Sequence, residues 1–324
     1  MSSFLGRVIE ARELTDRLEA SYHAMDIELK AAADVQRWLL PHNTLSTPMS
    51  DIAASYKTAR HSGGDYYDVG ELPDGRLGVF IADVSGKGAA AAVLMAVLRT
   101  IIHDEVDRSK VSGPGQLLDY ADTRLCALGL AGRGLFVTAF SCVLDPANGT
   151  LTYSSAGHNP PRILSVRERL VQCMDEARTT PLGMLDKPCK HTEEVVAVEP
   201  GDLLLFYTDG ITEARSPGGE FFGTVHLDEI LRGLPDPLMP SYAVNEIIRA
   251  VSEFMGDGPL SDDQTILALR CRDQCGEVIQ GESYEEAIQQ ILIDDRHTRL
   301  PAGGRPVPPS GLGASLPSQP AGHI

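Results

Sequence analysis

An α+β fold, with sheets covered by helices, is predicted for this chain by three features. Short apolar and β-branched runs follow one another from about residue 51, and many are separated by turn residues. Helical periodicity comes in blocks rather than alternating with every strand, which disfavours a regular βαβ arrangement. A long apolar stripe at helical spacing precedes the first strand.

In chain order, Leu14, Leu18, Tyr22, Met25, Leu29 and Ala32 recur at steps of three and four, and neither Pro nor Gly interrupts residues 7–40. Pro41 ends this amphipathic helix because it cannot continue the hydrogen-bond ladder. Its stripe either covers its own domain or offers a face for dimerisation or an upstream regulatory partner; periodicity alone does not separate the two. Strands are expected at 52–59, 77–84, 136–144, 151–155, 162–164, 169–174, 193–198, 203–207 and 265–269. Turns such as Pro73-Asp74-Gly75, Asp145-Pro146-Ala147-Asn148-Gly149 and Pro200-Gly201-Asp202 punctuate them. Helices are expected at 89–106 and 114–128, with one or two more between 227 and 255. Beyond 270 the pattern weakens to one short helix at 284–292. Residues 301–324 are rich in Pro, Gly and Ser and too poor in large apolar residues to offset the entropy of ordering, so disorder is expected there. The expected domains are 1–41, a regulatory or dimerisation helix; 42–272, the main domain; and 273–324, a C-terminal extension.

With 28 basic and 45 acidic residues in 324, the net charge is −17. That balance argues against a nucleic-acid or anionic-membrane surface, both of which need basic patches. It suits a protein that binds cations through carboxylates. The six cysteines (Cys126, Cys142, Cys173, Cys189, Cys271 and Cys275) form no CxxC pair, so structural thiols in a reduced, cytoplasmic protein are expected. The longest apolar run, 88–98, stops at Arg99, well short of the roughly 18 residues of a membrane span.

Acidic residues at strand ends carry the chemical signal. Asp65 follows Gly63-Gly64, and Asp83 ends Val79-Phe80-Ile81-Ala82. Asp209 ends Leu203-Leu204-Leu205-Phe206-Tyr207-Thr208, while Asp262-Asp263 precedes Thr265-Ile266-Leu267-Ala268-Leu269. Any one of these Asp residues is also ordinary turn chemistry. Together, carboxylates at the ends of apolar strands would repel one another unless cations compensate them, and hard divalent ions with oxygen ligands are the natural choice. Ser85-Gly86-Lys87-Gly88 before an Ala-rich helix is not a P-loop, because that motif requires Gly at 81 and Ser or Thr at 88, where Ile81 and Gly88 stand. Its glycines instead fit a tight strand-to-helix turn.

Five ordered motifs carry a family resemblance: Gly63-Gly64-Asp65-Tyr66-Tyr67-Asp68; Ala82-Asp83-Val84-Ser85-Gly86-Lys87-Gly88-Ala89-Ala90-Ala91; Ser155-Ala156-Gly157-His158-Asn159-Pro160-Pro161; Tyr207-Thr208-Asp209-Gly210-Ile211-Thr212-Glu213-Ala214; and Asp262-Asp263-Gln264-Thr265. From about residue 33 to 271 the chain resembles the SpoIIE/RsbU-like bacterial phosphatases of the PPM superfamily of metal-dependent serine/threonine phosphatases. The resemblance implies an αββα sandwich of two antiparallel sheets with two Mn²⁺ or Mg²⁺ ions at one edge. It makes Asp83 the bridging carboxylate and the Val84 carbonyl a ligand of one ion, with Asp65 a ligand or water-mediated partner of that ion. Asp209 and Asp262 become ligands of the other ion, and Asp263 could stand in for Asp262. Arg60 would grip phosphate with its guanidinium fork.

Two ions about 3.5–4 Å apart would activate a water for direct hydrolysis, with no phosphoenzyme. The eukaryotic branch of the superfamily places an implicated His two residues after the bridging Asp; here that residue is Ser85, which leaves the general acid open. His158 more readily fixes a turn than donates a proton. The resemblance points to a phosphoserine/phosphothreonine phosphatase acting on a STAS-type anti-sigma-factor antagonist in a partner-switching pathway. The alternatives are a catalytically silent binding module of the same fold and a small-molecule phosphomonoesterase.

Overall fold

The computed structural model describes residues 33–41, 50–107 and 113–272, together with isolated helical positions between 12 and 31. The expected extension at 273–324, with its helix at 284–292, lies outside the described residues. Helix α1 is described as helical through 33–39. The elements that follow are β1 (Ser50–Lys57), β2 (Tyr66–Glu71), β3 (Leu77–Val84), α2 (Ala89–Asp107), α3 (Pro114–Ala127), β4 (Val137–Asp145), β5 (Thr150–Ala156), β6 (Arg162–Leu164), β7 (Val171–Cys173), β8 (Arg178–Thr179), β9 (Glu194–Ala197), β10 (Leu203–Tyr207), α4 (Asp209–Thr212), α5 (Gly223–Gly233), α6 (Pro240–Met255) and β11 (Gln264–Cys271).

Two sheets result. One runs β1-β11-β10-β6-β7; the other runs β2-β3-β4-β5-β8, with β9 also paired to β5. Among the described residues, the paired strands are antiparallel except for the two-residue β5–β8 contact, which is parallel. Strand alternation builds the layers. Leu204 and Phe206 of β10 enter the layer between the sheets, where Phe206 meets Phe140 at 6.0 Å between ring centroids. Their neighbours Leu203, Leu205 and Tyr207 face Leu227, Leu231, Ile247 and Val251 of α5 and α6. On the other sheet, Phe80 and Ala82 pack on Met95, Leu98, Leu118 and Leu125 of α2 and α3. The order is therefore helices, sheet, sheet, helices, and the expected α+β class holds. β10 is buried on both sides, which explains its unbroken apolar sequence.

Three elements were not anticipated. β2 carries Asp68 and Gly70 and looks like loop in the sequence. It forms because it is an edge strand pairing only with β3, and Asp68 accepts the Tyr66 hydroxyl at 2.8 Å and meets His103 Nε2 at 2.6 Å. β8 and α4 are too short to leave a periodic trace. The region between 227 and 255 holds two helices, the first beginning earlier than expected, at Gly223.

The end of α1 docks on the domain: Ala33, Gln36 and Leu40 are buried, and Arg99 Nε donates to the Leu39 carbonyl at 2.7 Å. Val35 and Trp38, on the other side of this turn, remain exposed. The helix thus covers its domain with one face and leaves apolar residues on another.

Because Phe206 fills the space between both sheets, Phe206→Ala should destabilise the domain by about 3–5 kcal/mol. Urea denaturation should show this as a lower midpoint at unchanged slope.

Candidate metal centre

Antiparallel pairing sets the end of one strand beside the start of the next, and this gathers the acids. β10 runs antiparallel to β11, with Tyr207 opposite Ile266, so Thr208-Asp209 lies beside Asp262-Asp263. Tyr66 is opposite Ala82, so Asp65, just before β2, lies beside Asp83. Asp83 is the penultimate residue of β3 rather than a residue beyond its end.

Asp65 is the innermost of the set, 1% exposed. Its Oδ2 accepts the hydroxyls of Thr208 at 2.8 Å and Thr265 at 2.6 Å, which ties the entry to one sheet onto two strands of the other. Burial and the nearby Asp83 charge still push its carboxyl well above the usual range. Burial, then the charges of Asp209, Asp262 and Asp263, raise Asp83 to about 8. Asp209 is raised to about 6, by burial first and the Asp262 and Glu213 charges next. Asp83 is the common electrostatic neighbour of the other four acids.

The adjacent pair divides its work. Asp263 is buried and uses both oxygens on backbone: Oδ1 accepts the Ala59 N–H at 2.8 Å and Oδ2 the Gly64 N–H at 2.7 Å. Asp262 is half-exposed, with Oδ2 at 2.8 Å from Lys87 Nζ and Oδ1 accepting the Asp263 N–H at 3.0 Å.

Five predicted acids therefore meet at one rim. Arg60 is exposed, one residue past the Ala59 N–H that holds Asp263, and no contact of its guanidinium with the acids is seen among the described residues. Ser85 Oγ accepts the Phe136 N–H at 2.8 Å and so serves the turn. His158 is buried, with Nδ1 at 3.0 Å from Thr138 Oγ1, and burial pushes its pKa down to about 4. A neutral imidazole held in this way is a buttress and a poor proton donor.

Sequence reasoning missed several contributors. Thr208 and Thr265 each stand one or two residues from a predicted acid, but nothing in a hydroxyl's position signals a partner so far along the chain. Lys87 stood in the rejected phosphate-loop pattern and in the second family motif, without a role assigned to it. Gln36 of α1 clamps Gly63 from both sides: its Nε2 donates to the Gly63 carbonyl at 2.6 Å and its Oε1 accepts the Gly63 N–H at 3.1 Å.

The donor set fits hard divalent cations. A Cβ at Gly64 would lie 2.7 Å from the Val84 carbonyl oxygen, so glycine is required for that carbonyl to sit at the rim. A Cβ at Gly210 would collide with the Asp263 carbonyl. Backbone has been brought as close to the acids as sterics allow, and Lys87 offsets only part of their charge.

The four-layer sandwich is the fold of PP2C domains. The SiaA-PP2C domain of Pseudomonas aeruginosa superposes with a TM-score of 0.68 at 21% identity, covering 78% of this chain and 98% of that one. The chain belongs to the SpoIIE family: the family model described as Stage II sporulation protein E (SpoIIE) matches residues 73–272. Protein IcfG of Synechocystis is 31% identical over 273 residues, covering 75% of this chain and 41% of that protein. Phosphoserine phosphatase RsbU of Bacillus subtilis is 28% identical over 247 residues, covering 75% of this chain and 70% of RsbU. This chain thus spans less than half the length of IcfG. Among the described residues, no helix is long and apolar enough to cross a membrane.

An acid that holds its proton more tightly when folded than when unfolded gives up stability as pH rises between its two pKa values. With Asp83 raised to about 8 and Asp209 to about 6, the chelator-treated protein should become less stable from about pH 4 to pH 8. Its Tm should fall by at least about 5 °C between pH 5 and pH 8. Saturating Mn²⁺ should remove most of that slope, whereas a flat profile in chelator would show acids already compensated.

Proposed function

We propose that this chain is a metal-dependent protein serine/threonine phosphatase that hydrolyses phosphoserine or phosphothreonine on a small regulatory protein. The observation that carries the proposal is the convergence of Asp65, Asp83, Asp209 and the adjacent Asp262-Asp263 from four separate segments onto one partly buried rim, where burial and neighbouring charge raise the proton affinities of Asp65, Asp83, Asp209 and Asp263. Membership of the SpoIIE family and the likeness to RsbU support it.

Bound Mn²⁺ or Mg²⁺ ions would supply a nucleophilic water at neutral pH and neutralise phosphate charge. Asp83, the common neighbour of the other acids, would be the carboxylate that serves two ions. The Val84 carbonyl with Asp65 would complete one shell, and Asp209 with Asp262 the other. Asp263 has both oxygens on backbone N–H groups, so its part is to hold the Ala59–Gly64 segment in place. Of the two neighbours, Asp262 has the more accessible carboxylate, which favours it as the ligand. Arg60, exposed beside that segment, would meet phosphate oxygens through its planar fork. With Ser85 engaged by Phe136 and His158 neutral, the leaving alkoxide takes its proton from solvent in the site.

The substrate class that fits the family is a phosphorylated STAS-type regulator in a partner-switching pathway. The upstream input would arrive through α1, because Gln36 bonds the loop that carries Asp65. Shifting this helix would move Gly63 and, through it, one half of the proposed metal site.

Asp83→Asn should lower Mn²⁺-dependent phosphate release, from p-nitrophenyl phosphate and from a phosphorylated STAS domain alike, by at least about a hundredfold. Undiminished turnover would remove the assigned site, and cleavage of p-nitrophenyl phosphate with no phosphoprotein activity would favour a small-molecule esterase. Gln36→Ala should raise the Mn²⁺ concentration needed for half-maximal activity by roughly tenfold, as loss of an outer-shell support does. Metal titration of the rate would reveal it.

A further inference from the structure

A second cluster of metal-binding side chains lies away from the acidic rim, between α3 and the loop at 183–191. We propose that Asp122, Cys126, Cys189 and His191 form a binding site for a thiophilic divalent cation, with Zn²⁺ the best match.

One ligand atom each from Asp122, Cys189 and His191 lie within 4.8 Å of one another. Cys189 Sγ and His191 Nε2 are 3.8 Å apart. A tetrahedral ion with sulfur at about 2.3 Å and nitrogen at about 2.0 Å would place those atoms about 3.6 Å apart, so the edge is almost formed. Cys126, one helical turn beyond Asp122, puts its Sγ at 3.5 Å from Asp122 Oδ1 and 3.3 Å from the Leu185 carbonyl, outside the close group of three, and would join the shell by turning its side chain from that carbonyl. The four donors match the sulfur, nitrogen and carboxylate preference of zinc, and not the all-oxygen preference of Mg²⁺.

The surroundings orient these donors. His191 Nδ1 lies 3.1 Å from Asp119 Oδ1, which engages that nitrogen and leaves Nε2, 3.8 Å from Cys189 Sγ, as the nitrogen that would ligate an ion. A carboxylate behind a ligating imidazole is the usual arrangement at protein zinc sites. Asp119 is itself fixed by Lys190 Nζ at 2.7 Å and by the His191 N–H at 2.9 Å. Asp122 accepts the N–H of Gly183 at 2.7 Å and of Cys189 at 2.8 Å, which draws the loop onto α3. The His191 side chain is fully buried and Asp122 nearly so, whereas both cysteines are partly open and give an ion its way in. On binding, each sulfur–metal bond forms as its thiol releases a proton to solvent. The ion would lock the 183–191 loop to α3, next to Leu182, which exchanges backbone hydrogen bonds with Val137 at 3.0 and 2.8 Å.

The test is a Co²⁺ titration of the full chain, with Mg²⁺ in large excess to hold the oxygen-rich rim. The expected result is a thiolate-to-cobalt charge-transfer band at one equivalent, with tetrahedral visible bands, both displaced by equimolar Zn²⁺. Cys189→Ser and Cys126→Ser should each weaken or abolish the band, Asp83→Asn should leave it intact, and Asp119→Asn should retain it while weakening Zn²⁺ binding at least about tenfold. No band in the native protein would overturn the proposal without reference to any variant. A band that survives in both folded serine variants would overturn it equally, by assigning the thiolate elsewhere.

Discussion

The fold turns on one buried carboxylate. Asp65 sits at the entry to one sheet but is satisfied by hydroxyls from two strands of the other, so the two sheets are fastened at the rim where their acids meet. An ionised carboxylate this deep is unfavourable without partners, and Thr208 and Thr265 supply only part of what it needs. The remainder of its field falls on Asp83, whose own environment is made worse by Asp209, Asp262 and Asp263. Hydrophobic layers above and below hold these like charges together, and cations are the means of relieving the repulsion.

Much of this was legible in the sequence because strand ends are legible. Asp83 and Asp209 each close a run of apolar residues too continuous to be anything but a buried strand, and Asp262-Asp263 opens another. Their meeting could be anticipated once the runs were assigned to paired strands. Division of labour within Asp262-Asp263 could not, since it depends on which carboxylate faces the Ala59 and Gly64 N–H groups, a contact about 200 residues away in sequence. β2 was hidden for a related reason. Its Gly and Asp content signals a turn, and only the pairing with β3 and the bonds from Tyr66 and His103 to Asp68 make an edge strand of it.

The cysteines illustrate the same limit more sharply. No spacing in the sequence joins Cys126 to Cys189, and the absence of a CxxC pair argues for inert thiols. Helix α3 places Asp122 and Cys126 one turn apart on the same side, and the two backbone bonds to Asp122 then deliver Cys189 and His191 to them. A ligand set made of one helical turn and a dipeptide step leaves no recognisable motif, because its geometry is created by docking and not by local chain direction.

The two clusters differ in donor chemistry in a way that keeps them independent. The rim offers carboxylate and carbonyl oxygen alone, which suits ions that hold water and phosphate loosely enough to turn over. The α3 cluster offers sulfur and imidazole beside one carboxylate, a set that would hold zinc tightly in a closed shell and leave no position for substrate. A cation at the rim would serve chemistry, whereas one at α3 would serve shape, and neither donor set would compete well for the other's ion. Gly64 and Gly210 fit this division. Sterics at the rim demand glycine so that backbone oxygen can approach the acids, whereas the α3 cluster is drawn together by two backbone N–H groups on the Asp122 carboxylate.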